Sequence, residues 1–266
     1  MSFDQPIATA KGFVLTILRT TFIMAVLTCG AALADTDTAG SSSSSPADVL
    51  NRYFAAMELQ QTRMQGAKME VDIEAKLPRL NKEGKFQALR QVSRLGQVTY
   101  DAVRFVGDKV VKNDVISRYL TAEAQAMGGQ VDGNGHGGAK TDDIAINHKN
   151  YKFKYKGMIS VNDRRLHMYQ LSPRKKRIGL FKGDLYIDAE TYLPFREAGR
   201  LVKNPSLFLK KVEFVRDYEF VNGMALPKRI ESRVDTRIVG RAELNIQFAN
   251  IMPQYRAQLN ICPMGW

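Results

Sequence analysis

The sequence predicts a mainly β protein of the α+β class: one large antiparallel sheet with amphipathic helices laid across its apolar face. Three observations predict it. Four segments alternate apolar and charged residues with period two, only two segments repeat apolar residues at helical spacing, and short turns join the extended segments. Asn222-Gly223 is the sharpest of these turns, because both positions tolerate the positive φ that a two-residue hairpin requires.

The elements follow in chain order. Lys11 and Arg19 precede an apolar run from Thr21 to Leu33, and Ala32-Leu33-Ala34 offers small residues at the two positions a signal peptidase reads. Residues 1–34 are therefore expected to be a cleaved export signal, since the run is too short for a bilayer core that takes roughly 20 residues. Thr28 before Cys29 is a poor fit to the small residue that lipoprotein processing needs, so a free chain starting at Asp35 is expected instead of a lipid anchor at Cys29. Residues 35–45 contain AGSSSSS, which has neither apolar content nor period and reads as flexible leader. From Pro46 to about Gln61, Val49, Leu50, Tyr53, Phe54 and Met57 recur at helical spacing, behind a Ser45 cap and a proline suited to the first turn.

In KMEVDIEAKL, residues 68–77, Met69, Val71, Ile73, Ala75 and Leu77 fall on one face and Lys68, Glu70, Asp72, Glu74 and Lys76 on the other. The same alternation recurs in YKFKYK (Tyr151, Phe153, Tyr155), VEFVRDYEF (Val212, Phe214, Tyr218, Phe220) and AELNIQF (Ala242, Leu244, Ile246, Phe248). Weaker strands are expected near 84–94, 97–106, 164–171, 178–187, 192–201 and 224–234, about ten strands in all. A second helix is expected from Asp108 to Ala126, with Val111, Val115, Tyr119 and Ala122 on its apolar side. A one-sided sheet and amphipathic helices bury their apolar sides against each other, which gives a single domain over residues 46–252 and a tail at 253–266.

Lys and Arg number 39 against 27 acidic residues, a formal net charge of +12 that loss of Lys11, Arg19 and Asp4 lowers by one. A basic exported protein meets anionic lipid more readily than nucleic acid. The run Arg174-Lys175-Lys176-Arg177 has no interleaved aromatic and reads either as a solvated turn or as a contact with anionic headgroups. Beyond the leader only Cys262 remains, so no disulfide framework supports the fold.

Catalytic signals are weak throughout. The Gly-rich stretch 128–141 (GGQVDGNGHGGAKT) holds a literal G-x-G-x-x-G at Gly133, Gly135 and Gly138, but it follows a polar helix and opens none, so it reads as a loop. His136, His148 and His167 share no ligand spacing, and Asp188 with Glu190 reads as turn chemistry. No G-x-S-x-G elbow is present. No catalytic residue, cofactor or metal is expected.

Two hairpins carry a family likeness. D-x-x-T-x-L-P (Asp188, Thr191, Leu193, Pro194) between strands, echoed by N-G-x-x-L-P (Asn222, Gly223, Leu226, Pro227), resembles the hairpins of the exported LolA/LolB-like superfamily of outer-membrane lipoprotein-sorting proteins. The resemblance spans roughly residues 151–251 and implies a strongly curved half-barrel whose concave face, lidded by helices, encloses acyl chains. Alternation and the two Leu-Pro hairpins supply the residues expected to wall such a cavity: Met69, Val71, Ile73, Leu77, Phe153, Tyr155, Leu193, Phe214, Tyr218, Phe220, Leu226, Leu244, Ile246 and Phe248. The implied function is a periplasmic carrier or sensor of lipid or lipoprotein acyl chains, meeting an anionic membrane surface or an inner-membrane protein. The alternative is an RseB-like envelope regulator that grips a protein partner.

Physical chemistry permits this reading. Each Leu-Pro sets a leucine beside a residue with no N–H, which weakens pairing and lets a sheet bend. Burial is worth about 0.8 kcal/mol per CH₂, so a chain of about 14 carbons supplies roughly 11 kcal/mol before binding costs, and little polar chemistry is needed. The inward residues form more apolar wall than two short helices cover, so the helices are expected to stand off the sheet and leave a lipid-sized cleft.

Overall fold

The computed structural model describes residues 45–93, 97–126, 144–205 and 208–252, which all belong to one compact unit. The expected export signal, the serine-rich leader before Ser45, the Gly-rich loop 128–141 with His136, and the tail 253–266 with Cys262 lie outside the described residues. Helix α1 (Pro46–Met64) comes first, and Ser45 caps it by accepting from the Asp48 amide at 3.2 Å. Then come β1 (Lys68–Leu77), β2 (Lys82–Val92) and β3 (Val98–Gly107), a π-helical segment Val111–Ile116 running into α2 (Ser117–Ala126), and β4 (Tyr151–Val161). The chain continues through β5 (Arg164–Pro173), β6 (Phe181–Asp188), β7 (Pro194–Leu201), β8 (Leu209–Val221), β9 (Met224–Thr236) and β10 (Arg241–Met252).

All ten strands form one antiparallel sheet in the order β3-β2-β1-β10-β9-β8-β7-β6-β5-β4. After β3 the chain crosses to the far edge and returns strand by strand, until β10 pairs with β1. The sheet therefore stays open between β3 and β4, as a curved half-barrel requires.

Register defines one row across the sheet: Phe86, Ile73, Ile246, Ile230, Arg216, Glu197, Leu185, Tyr169 and Tyr155 face one another strand by strand. Directly paired residues share a face. This is the face the helices cover, apolar toward both edges and charged in its middle.

Two separate cores lie along it. Val49, Leu50 and Tyr53 of α1 pack with Tyr151, Tyr169, Leu171, Leu185 and Ile187, and the Tyr169 hydroxyl donates to the Pro46 carbonyl at 2.7 Å. Val111, Val115 and Ile116 pack with β1, β2 and β10. Both helical segments thus sit on the sheet, and the expected stand-off is corrected: each has bulky residues at the spacing needed to fill its own half of the floor. The second helix is corrected too. Its first part is π-helical, a wider turn that brings Val115 and Ile116 inward together, which a 3.6-residue period does not anticipate.

The hairpins behave as their residues dictate. Asn222 and Gly223 have φ of 51° and 72°, and the Asn162-Asp163 turn between β4 and β5 uses the same left-handed pair at 49° and 62°. Both prolines named above sit at register shifts: Pro194 opposite Ile187 and Pro227 opposite Tyr218, each beside a bulge where the sheet can bend. Leu193 and Leu226 are buried next to them.

Asp188 is nearly fully buried, and one carboxylate oxygen accepts from the Glu190 amide (3.2 Å), the Thr191 amide (2.9 Å) and the Thr191 hydroxyl (2.9 Å). Its other oxygen takes Arg164 at 3.0 Å. Burial works to raise its pKa, but the Thr191 bonds and Arg164 outweigh it and hold the group below the ordinary 3.8. A depressed carboxylate stabilises the fold above its unfolded pKa and loses that contribution as pH falls through the folded value. Asp188→Asn is therefore expected to cost about 2 kcal/mol at neutral pH, from lost charge-assisted hydrogen bonds. The cost should shrink below pH about 4. Urea melts at pH 7 and pH 3 check both, and a cost independent of pH would contradict the assignment.

Candidate functional site

β8 lies in the middle of the sheet, and none of its 13 residues is buried. On the helix-bearing face its Phe214 packs toward the α1 core, while Ile230 and Val234 of β9 pack toward the α2 core. Between the two cores is a strip of floor built by Phe214, Arg216, Ile230 and Ser232, each only half-buried.

Charge sits in the middle of this strip. Arg216 Nη1 donates to Glu197 Oε2 at 3.0 Å, and the Tyr218 hydroxyl donates to Glu197 Oε1 at 2.7 Å. The Glu197 side chain is 4 % exposed and that of Arg216 38 %. Desolvation by the surrounding protein works to lower the Arg216 pKa, but Tyr218 and Glu197 outweigh it and raise it. Burial, and then the Glu197 charge, push the Tyr218 phenol up. Burial keeps the phenol pKa of Tyr53 on α1 and of Tyr119 on α2 raised, though the Arg216 charge works to lower both.

A second ion pair fastens α2. Arg90, on the inward face of β2 opposite Met69, donates through Nε (3.2 Å) and Nη2 (2.9 Å) to Glu123 Oε1, and the Tyr100 hydroxyl bonds the other oxygen. The expectation of one wholly apolar face is thus corrected: Arg90, Glu197 and Arg216 occupy it, each compensated by a partner.

The residues nominated from sequence fall into distinct groups. Met69, Val71, Ile73, Leu77, Leu244, Ile246 and Phe248 form the covered α2 core. Leu193 lines a recess of about 150 Å³ with Ala56, Leu59, Gln60, Arg63, Thr191 and Gly223. That is smaller than the roughly 300 Å³ at which ligand pockets begin. Leu226 is buried in the neighbouring hairpin, where the Ala225 amide donates to Gln60 Oε1 at 2.8 Å. Phe153 joins an aromatic group with Phe54 and His148, centroids 5.6 and 5.3 Å away. Phe220 stacks on Phe195 with the Arg164 guanidinium 4.6 Å from its ring centre. Phe153, Phe214, Tyr218 and Phe220 are half-buried and the edge residue Tyr155 is exposed, its hydroxyl 3.2 Å from His167 Nδ1.

The basic run divides as well. Arg174 Nε donates to the carbonyls of His148 (2.8 Å) and Tyr151 (3.2 Å), and Arg177 Nη2 donates to Asn150 Oδ1 at 2.6 Å. Both arginines therefore tie down the turn before β4. Lys175 and Lys176 are left exposed as surface charge. Among the described residues no three His, Cys, Asp or Glu side chains gather as metal ligands.

Sequence reasoning passed over Arg216, although its parity in VEFVRDYEF matches Phe214 and Tyr218.

No protein-family profile and no curated protein matches the chain. Solved structures do. One is a LolA superfamily protein from Nitrosomonas europaea, at 10% identity over 76% of this chain and 94% of that one, TM-score 0.39. Another is an outer membrane lipoprotein-sorting protein domain from Vibrio parahaemolyticus, at 10% identity over 80% and 94%, TM-score 0.40. A third is the MucA/MucB complex of Pseudomonas aeruginosa, at 12% identity over 78% and 98%, TM-score 0.23. The chain's own architecture is an open antiparallel sheet with helices on one face. Among the described residues no helix is long and apolar enough to cross a membrane.

Proposed function

We propose that the protein is a non-enzymatic periplasmic binder of a hydrophobic ligand, a lipid or lipoprotein acyl chain, which it carries or senses. The observation that supports this is the half-buried strip along β8 and β9, between two cores that each pack under their own helix. A sheet that needed only stability would cover its middle as it covers the two cores on either side. Half-buried apolar side chains flanked by sealed cores suit a long, thin apolar guest.

An environment-sensitive fatty-acid probe is expected to bind the full chain near one to one and to be displaced by phospholipid. Phe214→Asp, which puts a charge on the strip, should reduce uptake at least about 10-fold in a variant whose circular dichroism is unchanged. Absence of uptake by the natural chain would defeat this reading. The RseB-like alternative then gains weight, and its own observation is the open edge strand β4, with Met158 and Ile159 exposed beside Lys152, Lys154 and Lys156. Native mass spectrometry of protein taken from its own periplasm distinguishes bound lipid from a stoichiometric protein partner.

A further inference from the structure

We infer that the Arg216 guanidinium receives the anionic head of the guest: a carboxylate or phosphate group borne on an alkyl chain that lies along the strip between the two helices. The inference rests on the binding function proposed above and names the class of ligand.

The argument begins with the position. Arg216 stands on the apolar face of the central strand, with Ile230 beside it on one neighbouring strand and Glu197 on the other. Placing a charge there is costly, and a buried ion pair adds little net stability over apolar residues of similar volume. Stability alone therefore does not explain it.

The second step is donor accounting. Both Glu197 oxygens are engaged, one by Arg216 and the other by Tyr218, and the side chain is closed to solvent. Arg216 is not saturated. A guanidinium has five N–H donors, and among the described residues its hydrogen bonds all leave from Nη1, to Glu197 at 3.0 Å and to the Tyr218 hydroxyl at 3.5 Å. The Nε and Nη2 edge remains, on a side chain that is 38 % exposed within a protein-lined strip. That edge is the fork that binds carboxylate or phosphate through two parallel hydrogen bonds. The Phe214 ring centre lies 5.8 Å from the guanidinium carbon, so an apolar surface starts where the charged head would end. Glu197 acts as a positioning residue, since it holds one nitrogen and so orients the free edge.

The test compares decanoate, decyl phosphate, decanol and inorganic phosphate as displacers of a neutral alkyl probe from the full chain. Both decyl anions are expected to bind at least about 10-fold more tightly than decanol, the value of a charge-assisted hydrogen bond. Inorganic phosphate alone should displace nothing. Arg216→Gln should bring the anion-to-alcohol ratio to about 1, and Glu197→Gln should raise the ratio by removing a competing negative charge. The double variant Arg216→Gln/Glu197→Gln leaves no unpaired buried charge, so it reports on the ratio even if either single variant unfolds. Equal binding of anions and decanol by the natural chain, or an anion preference that survives loss of Arg216, overturns the inference and leaves the apolar binder standing. Displacement by inorganic phosphate alone overturns it in favour of a free-anion site. Failure of every decyl compound removes both the inference and the reading beneath it.

Discussion

Replacing Glu123 with leucine is expected to destabilise the protein by about 3–5 kcal/mol, and adding Arg90→Leu to recover most of that loss. Arg90 projects from β2 into the α2 core and is only 7% exposed. Among the described residues it reaches Glu123 through two nitrogens and otherwise only the Met69 sulfur, at 3.5 Å. Desolvation disfavours its charge, and Glu123 more than compensates. Removing the carboxylate leaves a largely buried guanidinium without its charge partner. Removing both charges leaves a continuous leucine surface facing Val115 and Tyr119. Since whole-protein stability is about 5–15 kcal/mol, the single variant should show a large shift in urea midpoint. Because the pair is buried, added salt should change the result little. A loss under about 1 kcal/mol in the single variant would mean that α2 is held by packing alone.

The same two charges show how far the sequence was legible. Alternation located the strands well because side chains must take opposite faces, and KMEVDIEAKL proved to be β1 from its first residue to its last. Asn222-Gly223 and Asp188 were readable for the same reason, as each acts within its own turn. Alternation was less informative where a charge shared parity with apolar neighbours. Arg90 lies in phase with Phe86 and Ala88, and Arg216 with Phe214, yet reading every charge as a mark of the wet face misplaces both. Their partners were out of reach altogether. Glu197 meets Arg216 only because β7 and β8 are neighbours in the sheet, with a register shift beside Pro194 setting the phase of β7, and Glu123 meets Arg90 only because a π-helical segment sets the rotation of α2. Local pattern gives faces; strand order and bulges decide which faces carry matched charges. The half-buried strip along β8 likewise comes from strand order, which sets β8 between the two cores, and no window of sequence encodes that.

Tyr53→Ala is expected to cost about 3 kcal/mol and to loosen one half of the molecule before the other. Tyr53 is fully buried at the centre of the α1 core, its ring edge-on to Phe54 at 5.5 Å, and it is the largest side chain by which α1 holds the sheet. Nearer the ends of the helix lie the Tyr169 hydroxyl on the Pro46 carbonyl and the Ala225 amide on Gln60, and beside Tyr53 itself Arg52 reaches the Tyr192 hydroxyl at 3.2 Å. Truncation removes the middle support and leaves a cavity against Leu185 and Tyr169. The α2 core shares no buried residue with the α1 core, so the strain has no direct route to β1 and β2. Hydrogen exchange should therefore quicken in α1, β5 and β6 while β1 and β2 keep their protection up to global unfolding. Equal quickening across the sheet would show that the two cores open as one cooperative unit, and the strip between them would then be part of a single continuous interior instead of a gap between two independently closed halves.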